Sequence, residues 1–220
     1  MMREKDLRAQ MEDFTLGRPA LVCRWRLANR ALPLENRHLR ALGQRLIDGK
    51  AISPQLVAWA KQHIEWTLAD GAAEHPDGVL MLIVDQEGRA AMTVGPYQEL
   101  RSASVTALAQ RAQLAEREAD KTWVAPESLW LVRGEQLVWG LAAGEKPSGA
   151  GSLMADLAKT IGMPVMRQEG LAARVLREEE SFDEAFLVSD EHGIVCASNA
   201  SGPRSERFAA GYAMLLEKSR

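Results

Sequence analysis

The stretch ESLWLVRGEQLVW, residues 127–139, predicts a β-hairpin and opens the part of the chain that decides the fold. A Gly/Ser-rich turn, EKPSGAGS at residues 145–152, follows this stretch and begins a short helix, LMADLAKTIG. The step GMPV then leads to a second hairpin-like stretch, DEAFLVSDEHGIVCA at residues 183–197. This order of elements predicts that the second half of the chain is an α+β unit.

The first half of the chain is also mixed. A charged segment at residues 3–13 favours a helix, and ALVCRWRL at residues 20–27 alternates like a strand. Helices are predicted at residues 34–47 and after Ser53-Pro54, where Ser can cap and Pro fits the first turn. GVLMLIVD and RAAMTVGP then predict a hairpin, and its first strand should be central in a sheet because it is almost wholly apolar.

Shorter elements complete the pattern. The sequence predicts a helix at residues 102–118 and a short strand at residues 121–125. It also predicts a short helix at residues 170–178 and a last helix from residue 201 onward. The sequence therefore predicts an α+β fold in two lobes, residues 1–99 and 100–220, with a boundary near residues 96–100.

Composition and charge argue against several classes of protein. The chain of 220 residues has 46% hydrophobic and 26% charged residues and a net charge of −3, which predicts no nucleic-acid partner. No apolar stretch is long enough to span a membrane or to form the core of a signal peptide, so we expect a cytoplasmic protein. The four histidines and two cysteines lack ligand spacing, so we expect no metal site and two buried thiols, Cys23 and Cys196.

The order of elements in the second half resembles the class IV aminotransferase family. These pyridoxal-phosphate (PLP) enzymes include branched-chain and D-amino-acid transaminases and aminodeoxychorismate lyase. The segments that match the family pattern are Glu127-Ser128-Leu129-Trp130, Gly149 and Gly151, residues 161–165, and Asp183-Glu184-Ala185-Phe186. The resemblance covers residues 20–218 and implies a two-lobed fold with a shortened N-terminal lobe. It also implies PLP as a possible cofactor and a homodimer.

The resemblance locates the lysine that would form a Schiff base with PLP. The best match to its surroundings is Leu100-Arg101-Ser102-Ala103-Ser104, which puts Arg101 at the lysine position. A guanidinium does not lose its proton in proteins, so Arg101 cannot form a Schiff base. The other candidate is Lys121, which lies twenty residues later and is more simply a solvated residue.

The resemblance also locates the groups that would hold the cofactor's phosphate. Backbone amides and hydroxyls of the turn at Ser148, Gly149, Gly151 and Ser152 are candidates, although these glycines can equally serve a tight loop. The family's arginine falls near Pro33, where Arg37 or Arg40 could substitute. The family's threonine position holds Asp190, and a carboxylate about 4 Å from a phosphate would cost roughly 4 kcal/mol.

Two further departures concern the pyridine nitrogen and the N-terminal strands. Glu127 is an available acid, but its place in the pattern belongs to a different residue, and much of the hairpin that carries the family's glutamate is absent. A charged segment replaces the family's N-terminal strand pair. Together these departures predict a degenerate PLP site.

Three hypotheses for function follow. The first is a catalytically silent relative, a pseudoenzyme, that binds a small anionic metabolite in a cleft lined by Arg24, Arg26 and Arg101. The second is an active PLP-dependent transaminase or aminodeoxychorismate lyase that uses Lys121. The third is an interaction domain that uses the charged patch Arg177-Glu178-Glu179-Glu180, although this patch is more simply a solvated helix end.

Overall fold

A computed structural model describes residues 15–218, and the helix predicted at residues 3–13 lies outside this range. The first half contains β1 (Pro19–Arg26), α1 (Glu35–Leu42), β2 (Leu46–Ile47), β3 (Lys50–Ala51), α2 (Pro54–Gly71), β4 (Val79–Asp85) and β5 (Ala90–Gly95). The second half contains α3 (Val105–Thr122), β6 (Glu127–Arg133), β7 (Gln136–Trp139), α4 (Gly149–Thr160), β8 (Val165–Arg167), α5 (Leu171–Leu176), β9 (Glu184–Ser189), β10 (Gly193–Cys196) and α6 (Pro203–Lys218).

The first lobe is built on an antiparallel sheet in the order β1-β4-β5, so the predicted central strand β4 is confirmed. Every second residue of β1 faces the core, and Leu21, Cys23 and Trp25 are each 2% exposed there. Helices α1 and α2 cover this face. Ser53 caps α2 as predicted, since its side chain accepts a hydrogen bond from the amide of Leu56.

The second lobe is built on a five-stranded sheet in the order β10-β9-β6-β7-β8, in which only the β7–β8 pair is parallel. Its central strand β6 is apolar on both faces. Leu129 and Leu131 pack with α3 and α5, whereas Trp130 and Val132 pack with α4 and α6. A sheet covered on both faces explains why residues 129–132 form a continuous apolar run.

Two of the predicted elements are wrong in extent or type. The helix predicted at residues 34–47 ends at Leu42, because Asp48 and Gly49 both have positive φ and turn the chain into the small β2–β3 hairpin. The strand predicted at residues 121–125 does not form. Lys121 instead lies in the last turn of α3, which ends at Trp123 in a left-handed conformation.

The two lobes are in direct contact. The amide of Arg26 in β1 donates to the backbone oxygen of Asp190, which follows β9. The buried guanidinium of Arg45 donates a 2.9 Å hydrogen bond to Glu118 in α3. The boundary predicted near residues 96–100 lies in the segment between β5 and α3.

Within residues 15–218, no helix has the length and apolar character needed to cross a membrane.

Candidate functional site

A cleft lies where β1 and β4 of the first lobe face α3 and the β9–β10 turn of the second. It contains a cavity of about 750 Å³ that is also lined by the segment between β5 and α3. A second cavity of about 230 Å³ adjoins it and shares Arg24, Arg111, Leu114 and Glu191 with it. The larger volume is in the range of small-molecule sites, about 300–1,000 Å³.

Two arginines line this cleft without a partner among residues 15–218. Arg24 belongs to the face of β1 that points away from the core, and Arg101 lies just before α3. Both side chains are exposed, and neither makes a hydrogen bond or an ion pair with another described residue. Arg26, predicted to line the same cleft, instead stacks on Tyr97, with its Cζ atom 3.3 Å from the ring centroid.

Two of the acidic residues that line the cleft are paired with arginines. Glu127 accepts two hydrogen bonds from Arg111, at 2.9 and 2.6 Å, and Glu118 pairs with Arg45. Burial raises the pKa of Glu191, whereas the nearby Arg24 and Arg111 act to lower it. Arg24 and Arg101 therefore add positive charge to the cleft, which Glu99 and Glu191 partly offset.

A hydrogen-bonded network forms one wall of the cleft. Arg111 lies 3.1 Å from Nε2 of His192, and Nδ1 of the same ring lies 3.2 Å from the Tyr97 hydroxyl. Burial lowers the pKa of His192 to about 4; Glu127 opposes this change, whereas Arg111 adds to it. At neutral pH Nε2 therefore accepts from the guanidinium, and Nδ1–H donates to the Tyr97 oxygen. Ser189 completes the wall by donating to Glu127 at 2.9 Å.

The turn predicted to hold a phosphate forms the N-terminus of α4. Ser148 caps the helix by accepting from the amide of Gly151 at 3.0 Å. Ser152 donates to the backbone oxygen of Gly149 and accepts a hydrogen bond from Arg37. The structure thus brings together the five residues predicted to bind the phosphate, which are Arg37, Ser148, Gly149, Gly151 and Ser152. The hydrogen bonds described above join these residues to one another.

The space in front of this turn is filled by side chains of the protein. Asp190 accepts a 2.8 Å hydrogen bond from the amide of Ala150, and its other carboxylate oxygen lies 3.6 Å from Nδ1 of His38. The His38 ring stacks on Trp25 and lies so close to Gly149 that a Cβ atom there would be 2.4 Å from Nδ1. Because the Asp190 carboxylate already lies at the helix N-terminus, where a phosphate would have to bind, the turn does not fit the phosphate of PLP.

The lysine candidate is also separated from this cleft. Lys121 is exposed in the last turn of α3 and is not among the residues that line either cavity. Arg101 does line the larger cavity, but it cannot serve as a Schiff-base amine. The residues described here therefore offer neither a free phosphate turn nor a cleft lysine, and they do not fit PLP in the family's manner.

Several of the site residues have no recognisable signal in the sequence. His38, Arg111 and His192 lie in ordinary helical or turn segments, and their roles depend on partners from other parts of the chain. The helical spacing of His38 beside Leu39 and Leu42 could have placed it on the buried face of α1, but not against Asp190.

The charged patch at residues 177–180 is less exposed than the sequence suggests. Arg177 pairs with Glu179 at the surface. The Glu180 side chain is 5% exposed and pairs with Arg133 and Arg174. This glutamate therefore holds together elements of the second lobe, and the interpretation of the whole patch as a solvated helix end is wrong for Glu180.

Within residues 15–218, no group of three or more His, Cys, Asp or Glu side chains is arranged to hold a metal ion.

Comparison with known proteins identifies the fold. No protein-family model matches the chain, and no curated protein matches it in sequence. Among solved structures, it is similar to a hypothetical aminotransferase from Mycobacterium tuberculosis in a PLP-bound form, with a TM-score of 0.63 and 14% identity, over 100% of this chain and 94% of that one.

Two further structures agree with this result. A fold IV-transaminase from Curtobacterium pusillum matches with a TM-score of 0.56 and 13% identity, over 90% of this chain and 84% of that one. A 4-amino-4-deoxychorismate lyase from Pseudomonas aeruginosa matches with a TM-score of 0.54 and 16% identity, over 87% of this chain and 88% of that one. The predicted resemblance is confirmed: the chain has the two-lobed α+β fold of the class IV aminotransferases and aminodeoxychorismate lyases, in a shortened and divergent form.

Proposed function

We propose that this protein binds a small anionic metabolite in the cleft between its lobes and does not carry out Schiff-base chemistry with PLP. The observation that carries the proposal is the pair of exposed arginines, Arg24 and Arg101, that line a cavity of about 750 Å³ and make no hydrogen bond or ion pair with another described side chain. Guanidinium groups form bidentate, charge-assisted hydrogen bonds with carboxylates and phosphates.

The arrangement of the cleft supports a role in binding. Arg24 projects from the sheet of the first lobe, whereas Arg101 begins the second. An anion held by both would connect the lobes, as Tyr97 and His192 already do on one wall. In this proposal the Arg111–Glu127 pair keeps the neighbouring wall rigid, and it supplies no free charge to the ligand.

The residues at the positions where the family binds PLP support the absence of Schiff-base chemistry. Asp190 occupies the turn at α4, and Lys121 does not line either cavity of the cleft. An active transaminase or lyase that uses Lys121 would require this exposed residue to move into the cleft. We therefore favour a pseudoenzyme over the active alternative, and no contact made by residues 15–218 favours an interaction domain.

Ligand binding to the purified protein tests this proposal. A panel of monocarboxylates, dicarboxylates and inorganic phosphate is screened by thermal shift, and the best ligand is titrated by calorimetry. We expect Arg24→Gln and Arg101→Gln each to weaken binding about 10- to 100-fold, since hydrogen bonds to charged groups contribute about 1.5–3 kcal/mol.

The matched control for these variants is Arg207→Gln. Arg207 is an exposed arginine in α6, which makes no hydrogen bond or ion pair with another described residue and lies outside the cleft. Its substitution should leave affinity unchanged. Equal affinity in wild type, Arg24→Gln and Arg101→Gln would show that the cleft arginines do not hold the ligand.

Assembly and location belong to the same proposal. The resemblance implies a homodimer, and a cytoplasmic location is part of the proposal. Light scattering coupled to size-exclusion chromatography distinguishes a dimer of about twice 24.2 kDa from a monomer. A monomer at all concentrations would remove the dimer from the proposal without affecting the cleft.

A further inference from the structure

The N-terminus of α4 is buried, which is unusual for the polar end of a helix. Ser148, Gly149, Ala150 and Gly151 at this end are all buried. The first amides of a helix have no partner inside the helix, and a buried amide without an acceptor costs about 1–3 kcal/mol. The carboxylate of Asp190 provides that acceptor for Ala150, at 2.8 Å.

The groups around Asp190 are those that bind an oxyanion. His38 is 2% exposed, and its Nδ1 atom has no hydrogen-bond partner among the described residues although it points toward the carboxylate at 3.6 Å. Burial would raise the pKa of Asp190, but His38, the Ala150 amide and Arg45 together hold it below its ordinary value. Asp190 is therefore a buried anion that is stabilised by the charge of Arg45 and by the positive end of the α4 helix dipole.

We propose that the carboxylate of Asp190 is an internal substitute for a bound oxyanion, and that removing it opens a site for small carboxylates or phosphate at the N-terminus of α4. A free amide, a buried imidazole and a guanidinium nearby would remain in place around the vacated volume. Loops after strands and helix N-termini commonly bind oxyanions through such groups. The wild-type chain satisfies this site itself and needs no external anion there.

Chemical rescue of an Asp190→Ala variant tests the proposal. Urea unfolding midpoints are measured for wild type and variant in sodium formate, in sodium phosphate and in sodium chloride at equal ionic strength. We expect the variant to have a lower midpoint in chloride, and formate to restore most of the loss in a saturable manner. Recovery with phosphate as well would show that the opened site also admits a larger oxyanion. Wild type should show only the general effect of each salt on folded proteins, and the response of the variant is compared with that of wild type in the same salt.

Two further variants separate a specific site from a general salt effect. Asp190→Asn keeps the volume filled and should not be rescued by formate. Asp183→Ala removes a carboxylate that accepts from the backbone amide of Gly134 at an exposed turn, and it should respond to formate as wild type does.

Either of two results would overturn the proposal. One is an Asp190→Ala variant that is as stable as wild type in chloride. The other is a formate response of Asp190→Ala no larger than that of Asp183→Ala. If Asp190→Ala is insoluble, it is refolded from urea into formate or chloride, and equal recovery of folded protein in the two salts counts against the site.

Discussion

The imidazole of His38 lies against Gly149, so close that a Cβ atom at residue 149 would be 2.4 Å from Nδ1 of the ring. Residue 149 must be glycine in this arrangement, because a Cβ atom would overlap the His38 ring. His38 in turn stacks on Trp25, with ring centroids 5.3 Å apart. The first lobe thus packs an aromatic pair against the turn at the N-terminus of α4.

The substitution Gly149→Ala should destabilise the protein. The added methyl group must displace the buried His38 ring or shift the first turn of α4, and such overpacking costs about 1–3 kcal/mol. Chemical denaturation measures the change in the free energy of unfolding. Gly144→Ala is the matched control, since a Cβ atom there meets nothing within 4 Å. If both variants unfold at the wild-type midpoint, His38 is not packed against the turn as described.

The ion pair between Arg45 and Glu118 should contribute to stability across the two lobes. The Arg45 side chain is 3% exposed, so Glu118→Ala leaves a buried guanidinium without its partner. We expect a loss of about 2 kcal/mol, less than for a fully buried pair because water reaches Glu118. Glu179→Ala breaks a surface pair with Arg177 and should leave the unfolding midpoint unchanged. Equal effects of the two substitutions would contradict this difference in burial.

His192 should make the protein less stable in acid. Burial lowers its pKa from 6.5 to about 4, so between these values the unfolded chain binds a proton that the folded chain does not. The unfolding free energy therefore falls as the pH drops from 6.5 toward 4. His192→Gln should flatten this part of the profile. Tyr97→Phe keeps the imidazole and should retain the slope, so a His192→Gln profile with the wild-type slope would rule out this cause.

Local patterns in the sequence predicted most of the fold. The apolar run at residues 79–85 became the central strand β4, and Ser53 caps the helix that follows it. Each of these features depends on residues close together in the chain. The helix at residues 34–47 was predicted too long because its apolar spacing continues to Leu46, whereas the positive φ angles of Asp48 and Gly49 favour a hairpin.

The site could be predicted only in outline. The hypothesis drawn from the sequence placed Arg24, Arg26 and Arg101 in one cleft, of which only Arg24 and Arg101 line it, and it put Asp190 at the family's threonine position for the phosphate. It did not predict that Asp190 would itself bind the Ala150 amide, or that Arg111 would neutralise Glu127. These contacts arise between residues far apart in the chain, and packing of the two lobes determines them.

The most direct test of the account is whether the protein forms an aldimine with PLP. Wild type and Lys121→Ala are incubated with PLP and reduced with borohydride, and the modified lysines are located by peptide mass spectrometry. The account predicts low, scattered labelling of exposed lysines in both proteins, with no absorbance band of a specific internal aldimine. Stoichiometric labelling of Lys121 in wild type, lost in Lys121→Ala together with such a band, would contradict it.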